Sequence, residues 1–444
     1  MAVDVGKTHS GEEKSHNPNS VDVVCVGSGT KSDVHWSKKE KLVWMITFFI
    51  GNILLYSARS AMSICVPAMS RELGWSKTTS GMALSAFFAG YLCTNMIGGH
   101  FADQIGGEII ICYAGIGWAT MTAVLPYVAR LDVLVPYATL LVVASRFATG
   151  LSQGVFYPSM SAITAKRIVE AEKGFFAGFT TSGASIGSAA TGFFGSILLE
   201  KHDWAYVFII IGSMAILWIL FLRYLISFQK ESPVTEGTKP KERLPFFKLI
   251  YCSPFWGLFI AFFTSNYCFY NMLSWTPVYF HDTYPDGQAW LFNSIPWLVA
   301  FLFSNISGYV GNLLNRRGVS VTHNRKLFAS FQLLSYTFCS LSINYATTFH
   351  QALIIMSLNI ASNGFRNCSL NLNSQDLVPS HAGALHGFMN GSGAVAGVIG
   401  VYITGYILKI TGKWSAVFLL NSILTFIGWV TFMVFGSGEP LDLS

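Results

Sequence analysis

Three arginines stand where charge is expensive. Arg59, Arg146 and Arg366 each fall inside a long apolar run, the first within "VWMITFFIGNILLYSARSAMSICVP" (Val43–Pro67). A guanidinium at membrane depth costs several kcal/mol unless it faces protein or water and finds a partner. All 22 carboxylates fall in tails, loops or the ends of the runs, and His100 and His386 also lie near run ends. No acidic side chain is therefore placed to neutralise the arginines at their own depth. Backbone carbonyls, amides or water would satisfy one of them, and for Arg366 that reading stays open. For three together the better partner is a ligand, an anion entering a water-filled cavity lined by bidentate donors.

Other groups could hold the remainder of such an anion. A flat base needs an aromatic face or a guanidinium plane. Tyr56 lies one turn before Arg59, Tyr157 three turns after Arg146, and Tyr267 and Tyr270 share one run a turn apart. Aromatics make up 15% of the chain, so helix packing or lipid contact is the ordinary use of each. No Gly-x-x-x-x-Gly-Lys-Ser/Thr loop is present, and the glycine-rich runs Gly178–Gly195 and Gly391–Gly400 lie inside apolar segments, where they predict close helix packing. The eight cysteines form no C-x-x-C pair and no cluster with histidine, so no metal site is expected. No nucleophile–base pair or paired carboxylates suggest an enzyme.

Twelve apolar segments position these residues, near 43–66, 78–100, 107–129, 134–163, 173–199, 205–227, 254–280, 288–314, 326–346, 349–373, 382–408 and 414–436. With 52% hydrophobic and 11% charged residues and a mean hydropathy of +0.48, the chain reads as an all-α polytopic membrane protein. A soluble protein carries about 25% charged residues. The longest polar interior stretch, "QKESPVTEGTKPKERLP" (Gln229–Pro245), separates two groups of six segments. The expected divisions are a disordered tail (1–40), an N-terminal six-helix bundle (41–228), a linker (229–252), a C-terminal bundle (253–436) and a short tail (437–444). Six plus six is a secondary-transporter arrangement, with the substrate site near the midplane between the halves. With both termini in the cytosol, sixteen Lys and Arg fall on the cytosolic side and six on the other, in keeping with the positive-inside rule. Arg146 and Arg366 then occupy equivalent places, segments four and ten.

The turn after segment two, "GGHFADQIGGE", resembles the loop signature of the major facilitator superfamily, with Gly99, Asp103, Gly106 and Gly107 matching and Gln104 departing from the usual basic residue. The resemblance implies that Asp103 latches neighbouring helices at the cytosolic face, and that segments one, four, seven and ten line the cavity. "SRFATGLSQGVFYPS" (Ser145–Ser159) and "NSQDLVPSHAGALHGFMNGSGAVAGVIG" (Asn373–Gly400) are similar to the superfamily's organic anion transporters, which include vesicular glutamate, sialic acid and phosphate carriers. Asn373 and Asp376 belong to the second stretch and are taken with the loop glycines as conformational-motif residues. "LLYSARSAMSICVPAMSRELGW" and "LSWTPVYFHDTYPD" look like the nucleotide-carrying branch, and the likeness runs from about residue 41 to the end. Gln153 stands where glutamate and sialic acid carriers have a glutamate, Leu84 where glutamate carriers have a histidine, and segment seven has no arginine. Those departures remove groups that would titrate with a co-transported proton.

The resemblance implies that Arg59 and Arg146 are essential for nucleotide transport. It gives no support to Arg366, which rests on its placement alone. The expected function is potential-driven uptake of nucleotides such as ATP, ADP or GTP into vesicles of the secretory or lysosome-related system, through an arginine-lined cavity that also includes Gln153. The expected protein is a monomer in the bilayer, without a nucleic-acid partner and without a cofactor, chloride being a candidate activator. Two alternatives remain: a carrier of another organic anion (sialate, aspartate, glutamate) or of phosphate with sodium, and a receptor-like protein that moves nothing.

Overall fold

A computed structural model describes residues 36–130, 137–228 and 246–441. The N-terminal tail expectation (but for its last residues), the linker Gln229–Pro245 and the last three residues fall outside them. The described residues form α1 (Lys38–Leu73), α2 (Lys77–Ile105), α3 (Gly107–Ala129), α4 (Ala138–Gly154), α5 (Phe156–Arg167), α6 (Glu170–Ala190), α7 (Ser196–Lys201), α8 (Trp204–Ser227), the short α9 (Phe246–Ile250), α10 (Ser253–Thr283), α11 (Ala289–Arg316), α12 (Val321–Ser342), α13 (Phe349–Ser362), α14 (Leu370–Leu377), α15 (Ala382–Thr411) and α16 (Trp414–Phe435). The protein is all-α, with twelve spans in two groups of six: α4–α5, α6–α7 and α13–α14 each make one span.

Local chemistry sets the ends. Ser37 and Glu40 close a capping box at the start of α1, and Gly74, in the left-handed region at φ 65°, ends it. The span-two turn is built on Gly106 at φ 105°, a conformation that favours glycine. The equivalent turn after α11 carries the same spacing in Gly311, Asn315 and Gly318, with Gly318 at φ 83°. That internal echo of the span-two signature escaped the sequence reading.

Among the described residues, seven helices are long and apolar enough to cross a membrane on length and composition alone. The remaining spans fall short for physical reasons. Span four is interrupted at Val155, three residues before Pro158, which cannot donate to the Gly154 carbonyl. Span ten changes to a 3₁₀ turn at Asn363–Asn367. Spans two, seven and nine carry many polar residues.

Glycines let particular helices touch. A Cβ on Gly90 of α2 would lie 2.0 Å from the Phe147 carbonyl oxygen of α4, and one on Gly150 of α4 would lie 2.0 Å from the Phe87 oxygen of α2. On α6, Gly183 and Gly187 meet the Phe49 and Ile53 carbonyls of α1 at 2.6 and 2.2 Å in the same sense. On α15, Gly393, Gly397 and Gly400 accommodate Asn266, Tyr270 and Tyr267 of α10. Both glycine-rich runs thus serve close helix packing.

The halves meet toward the end that carries the α1–α2 turn. Lys77 of α2 pairs with Asp282 of α10, which also accepts from Trp414 Nε1 at 3.3 Å. Gly192 packs on the Asn293 carbonyl, and Asn293 Nδ2 donates to Ser196 Oγ at 2.9 Å. Beside this seam a gap of only about 10 Å³, close to the room one water needs, is lined by Ser60, Ser63, Ser188, Thr276 and Asn293.

Candidate functional site: a buried guanidinium pair

The α2–α4 crossing brings Phe87 beside Arg146, and the α1–α6 crossing seats α1 so that Arg59 faces the same ring. Arg59 and Arg146 are 4% and 3% exposed. The Arg59 guanidinium carbon lies 4.6 Å from the ring centres of Tyr56 and Phe87 and 5.2 Å from that of Tyr91. The Arg146 carbon lies 5.1 Å from the same Phe87 ring. Arg59 Nη2 donates to Gln153 Oε1 at 3.4 Å, and Gln153 Nε2 donates to the Leu55 carbonyl at 3.3 Å. The Nε of each arginine is buried with no hydrogen-bond acceptor. Ring faces offset part of the burial of a cation, about 0.5–2 kcal/mol each, but supply no counter-charge.

The third arginine is held differently. Arg366, on the 3₁₀ turn of span ten, donates from Nη1 to Asn266 Oδ1 at 2.7 Å and from Nε to Asn371 Oδ1 at 3.2 Å. Its carbon lies 4.3 Å from the Phe262 ring. Neutral carboxamides thus accept from two of its nitrogens, Nε and Nη1, while its charge has no carboxylate partner among the described residues.

The tyrosines divide. Tyr56 and Tyr270 lie near the centre, Tyr270 with its ring 4.5 Å from Phe88 and within electrostatic reach of Tyr56, Arg59 and Arg366. Tyr157 donates from its hydroxyl to Asn52 Oδ1 at 2.8 Å and borders Tyr56 and Arg59. Tyr267 is packed against Gly400, away from the arginines, with its buried hydroxyl unpartnered.

The motif residues lie toward the other end. Gly107 opens α3 against Ser159 and Ile163 of α5, within 2.6 Å of where its Cβ would sit. The side chain of Asp103 and the surroundings of Gly99 fall outside what is described. Asn373 Nδ2 donates to the Ser437 carbonyl at 2.6 Å. Asp376 accepts from Arg325 Nε at 2.7 Å, while Arg325 Nη1 donates to the Cys368 carbonyl at 3.0 Å. Among the described residues no His/Cys/Asp/Glu group could hold a metal.

Phe87, Tyr91, Asn266 and Asn371 were not singled out from sequence. Phe87 and Tyr91 are i, i+4 on α2, and Phe262 and Asn266 are i, i+4 on α10, so each pair shares a helix face. That spacing is a signal only once the facing arginine is known.

Comparison with known proteins adds the family. The family model described as Major Facilitator Superfamily matches residues 48–401. The chain is 35% identical to the voltage-gated purine nucleotide uniporter SLC17A9 of Homo sapiens over 421 residues, covering 93% of this chain and 95% of that protein. It is 31% identical to the chloroplastic ascorbate transporter of Arabidopsis thaliana, covering 95% and 80% of the two chains. Among solved structures, the inward-facing, occupied form of a bacterial homologue of the human lysosomal transporter Spinster superposes with a TM-score of 0.71 at 13% identity, over 90% of this chain and 97% of that one. The xylose transporter XylE of E. coli, inward open, gives 0.70 at 12%, over 89% and 96%. Two six-helix halves, a polar centre between them and these matches lead to one conclusion: the chain belongs to the Major Facilitator Superfamily, a multi-pass transporter and not an enzyme.

Proposed function

We propose that this transporter moves purine nucleotides such as ATP, ADP and GTP from the cytosol into vesicles, by alternating access about the Arg59–Arg146 pair and driven by membrane potential. The observation that carries this reading is the pair itself: two buried cations, each with an unpartnered Nε, facing one aromatic ring. A polyphosphate supplies both the counter-charge and the acceptors. Arg366, across the centre, adds positive potential, and Tyr56 and Tyr270 offer flat faces for the base. The relative named as a voltage-gated purine nucleotide uniporter supports the substrate class and the driving force. With both termini cytosolic, as this reading takes them, the Lys77–Asp282 seam lies on the lumenal side.

Energetics agree. One charge across 100 mV is worth about 2.3 kcal/mol, so an anion of about three to four charges gains about 7–9 kcal/mol per 100 mV. No proton has to contribute: among the described residues no carboxylate or histidine borders the Arg59–Arg146 pair, although the buried His386 packs on the Phe262 ring near Arg366.

The relative named as an ascorbate transporter favours a second reading, a smaller organic anion at the same arginines. Uptake of labelled ATP into proteoliposomes of the purified protein, in competition with GTP, glutamate, sialate, ascorbate and phosphate, decides between them. Saturable ATP uptake displaced by GTP and not by the small anions is the expected result. Displacement of ATP by ascorbate or glutamate at lower concentration than by GTP would overturn it.

A further inference from the structure

We propose that Phe87 is the spacer of the anion site: it holds the two guanidinium groups on one ring so that the site takes a chain of two or more phosphates in preference to a single phosphate. This rests on the arginine pair being the substrate's anion site.

Phe87 is 1% exposed, and its orientation is fixed from several sides. Its ring packs edge-on against Phe88 at 5.3 Å and stacked on Tyr91 at 6.1 Å. Its backbone is pinned by the Gly90–Gly150 crossing, where neither glycine has room for a Cβ. Arg59 and Arg146 reach this ring from two different helices, with centroid distances of 4.6 and 5.1 Å. They are within electrostatic reach of each other. Two like charges in a low-dielectric site repel, and the π face attracts both, so the ring supplies attraction that neither arginine offers the other. Phe87 is therefore a positioning residue, setting where two sets of unused donors lie.

A ligand that satisfies both Nε groups must present acceptor oxygens at both places. A single tetrahedral phosphate has its oxygens around one phosphorus and fits one guanidinium as a bidentate partner. A diphosphate or triphosphate carries oxygens on successive phosphorus atoms joined by flexible anhydride links, so it contacts one guanidinium with each end. The site thereby counts phosphates without reading the base. Inorganic tripolyphosphate should compete as a nucleoside triphosphate does, and a nucleoside monophosphate should compete poorly.

The test is competition against labelled ATP uptake in proteoliposomes of the full-length protein, by ATP, ADP, AMP, pyrophosphate and tripolyphosphate. For the unmodified chain, AMP should require at least about tenfold more than ADP or ATP for half-inhibition, with tripolyphosphate close to ATP. Phe87→Leu keeps apolar volume and removes the π faces; it should compress the AMP-to-ATP ratio to within about threefold. Phe87→Tyr restores the faces and should restore the ratio, which a purely structural role would not require. If Phe87→Leu carries too little ATP to measure, the same ratio is read from ligand-induced thermal stabilisation of the purified variant. An unchanged ratio in Phe87→Leu, or equal competition by AMP and ATP in the unmodified chain, overturns the spacer while leaving nucleotide transport standing. Failure of the unmodified chain to carry or bind ATP would instead sink the nucleotide reading itself.

Discussion

Spans four and ten are equivalent positions in the two halves, and each carries a buried arginine, but the two arginines are in opposite states. Arg146 rests on an aromatic ring with its Nε unpartnered. Arg366 is clasped by Asn266 and Asn371. The surroundings follow the same division. The N-terminal half offers Arg59 three aromatic rings and one carboxamide, and the C-terminal half surrounds Arg366 with carboxamides and a single ring. A donor already satisfied by protein has less to gain from a ligand, since binding must break a bond to make one. In the proposed reading, the direct anion contacts therefore fall to the N-terminal half and a supporting field to the C-terminal half.

The largest effect that would break this assignment concerns the unpartnered pair. Arg59→Ala and Arg146→Ala should each abolish measurable ATP uptake at matched protein amounts, losing about 2–5 kcal/mol of anion affinity. Folding should survive, because Arg146 leaves no hydrogen-bond partner behind among the described residues and Arg59 leaves only the long 3.4 Å bond to Gln153 Oε1. Near-normal uptake by either variant would remove it from the anion site.

Next comes Gln153→Glu, which puts a carboxylate against Arg59 where the amide oxygen now accepts at 3.4 Å. An internal counter-ion competes with the substrate, so ATP affinity at neutral pH should fall about tenfold. Protonation of the new carboxyl returns a neutral partner, so uptake should rise as pH is lowered, and more steeply than in the unmodified chain. A variant with unchanged affinity and a flat pH profile would separate Gln153 from the site.

Arg366→Ala should act mainly on stability. It strips the donor from the buried Asn266 carboxamide oxygen, worth about 1–3 kcal/mol when left unsatisfied, and from the half-buried Asn371 oxygen, and should raise the half-saturating ATP concentration by less than about tenfold. Loss of uptake as complete as in Arg146→Ala, with thermal stability unchanged, would make the two halves equal and cancel the comparison.

The spans and the three buried arginines were legible in the sequence because each is a contrast in one dimension, charge against a long apolar background. The surroundings of the arginines were not. Phe87 sits in "LSAFFAGYL", where nothing distinguishes it from Phe88. Only the Gly90–Gly150 crossing turns one of them toward two arginines. The tyrosines illustrate the same limit: one helical run carries Tyr267 and Tyr270 a turn apart, yet the first packs on Gly400 and the second faces the centre. The interruption of span ten at Asn363–Asn367 has no proline to announce it. Its signature is a run of asparagines with Gly364, where a Cβ would come within 2.5 Å of the Ser304 nitrogen.

The smallest expected effect lies at the far end of the N-terminal half. Arg130 donates from Nε to Glu72 at 2.6 Å and pairs with Asp203, and its carbon stacks 4.6 Å from the Trp204 ring. Its hydrogen bonds hold both carboxyls below their ordinary range, against the opposing pull of burial. A depressed carboxyl contributes stability above its unfolded pKa of about 4, lost as pH falls through the lower folded value. Arg130→Ala should lower the melting temperature by about 1–3 °C at neutral pH, because the cluster is partly exposed. It should also flatten the acid loss below about pH 4. An unchanged acid limb in the variant would separate this cluster from acid stability.

The central proposal, a fixed pair of cations at Arg59 and Arg146 with no titrating group beside that pair among the described residues, is tested most directly by the driving force. Proteoliposomes are given a potassium diffusion potential, positive inside, at equal pH on both sides, and separately a pH gradient with the potential clamped to zero. The account predicts strong uptake of labelled ATP under the potential and little under the pH gradient. Accumulation driven by the pH gradient alone would contradict it.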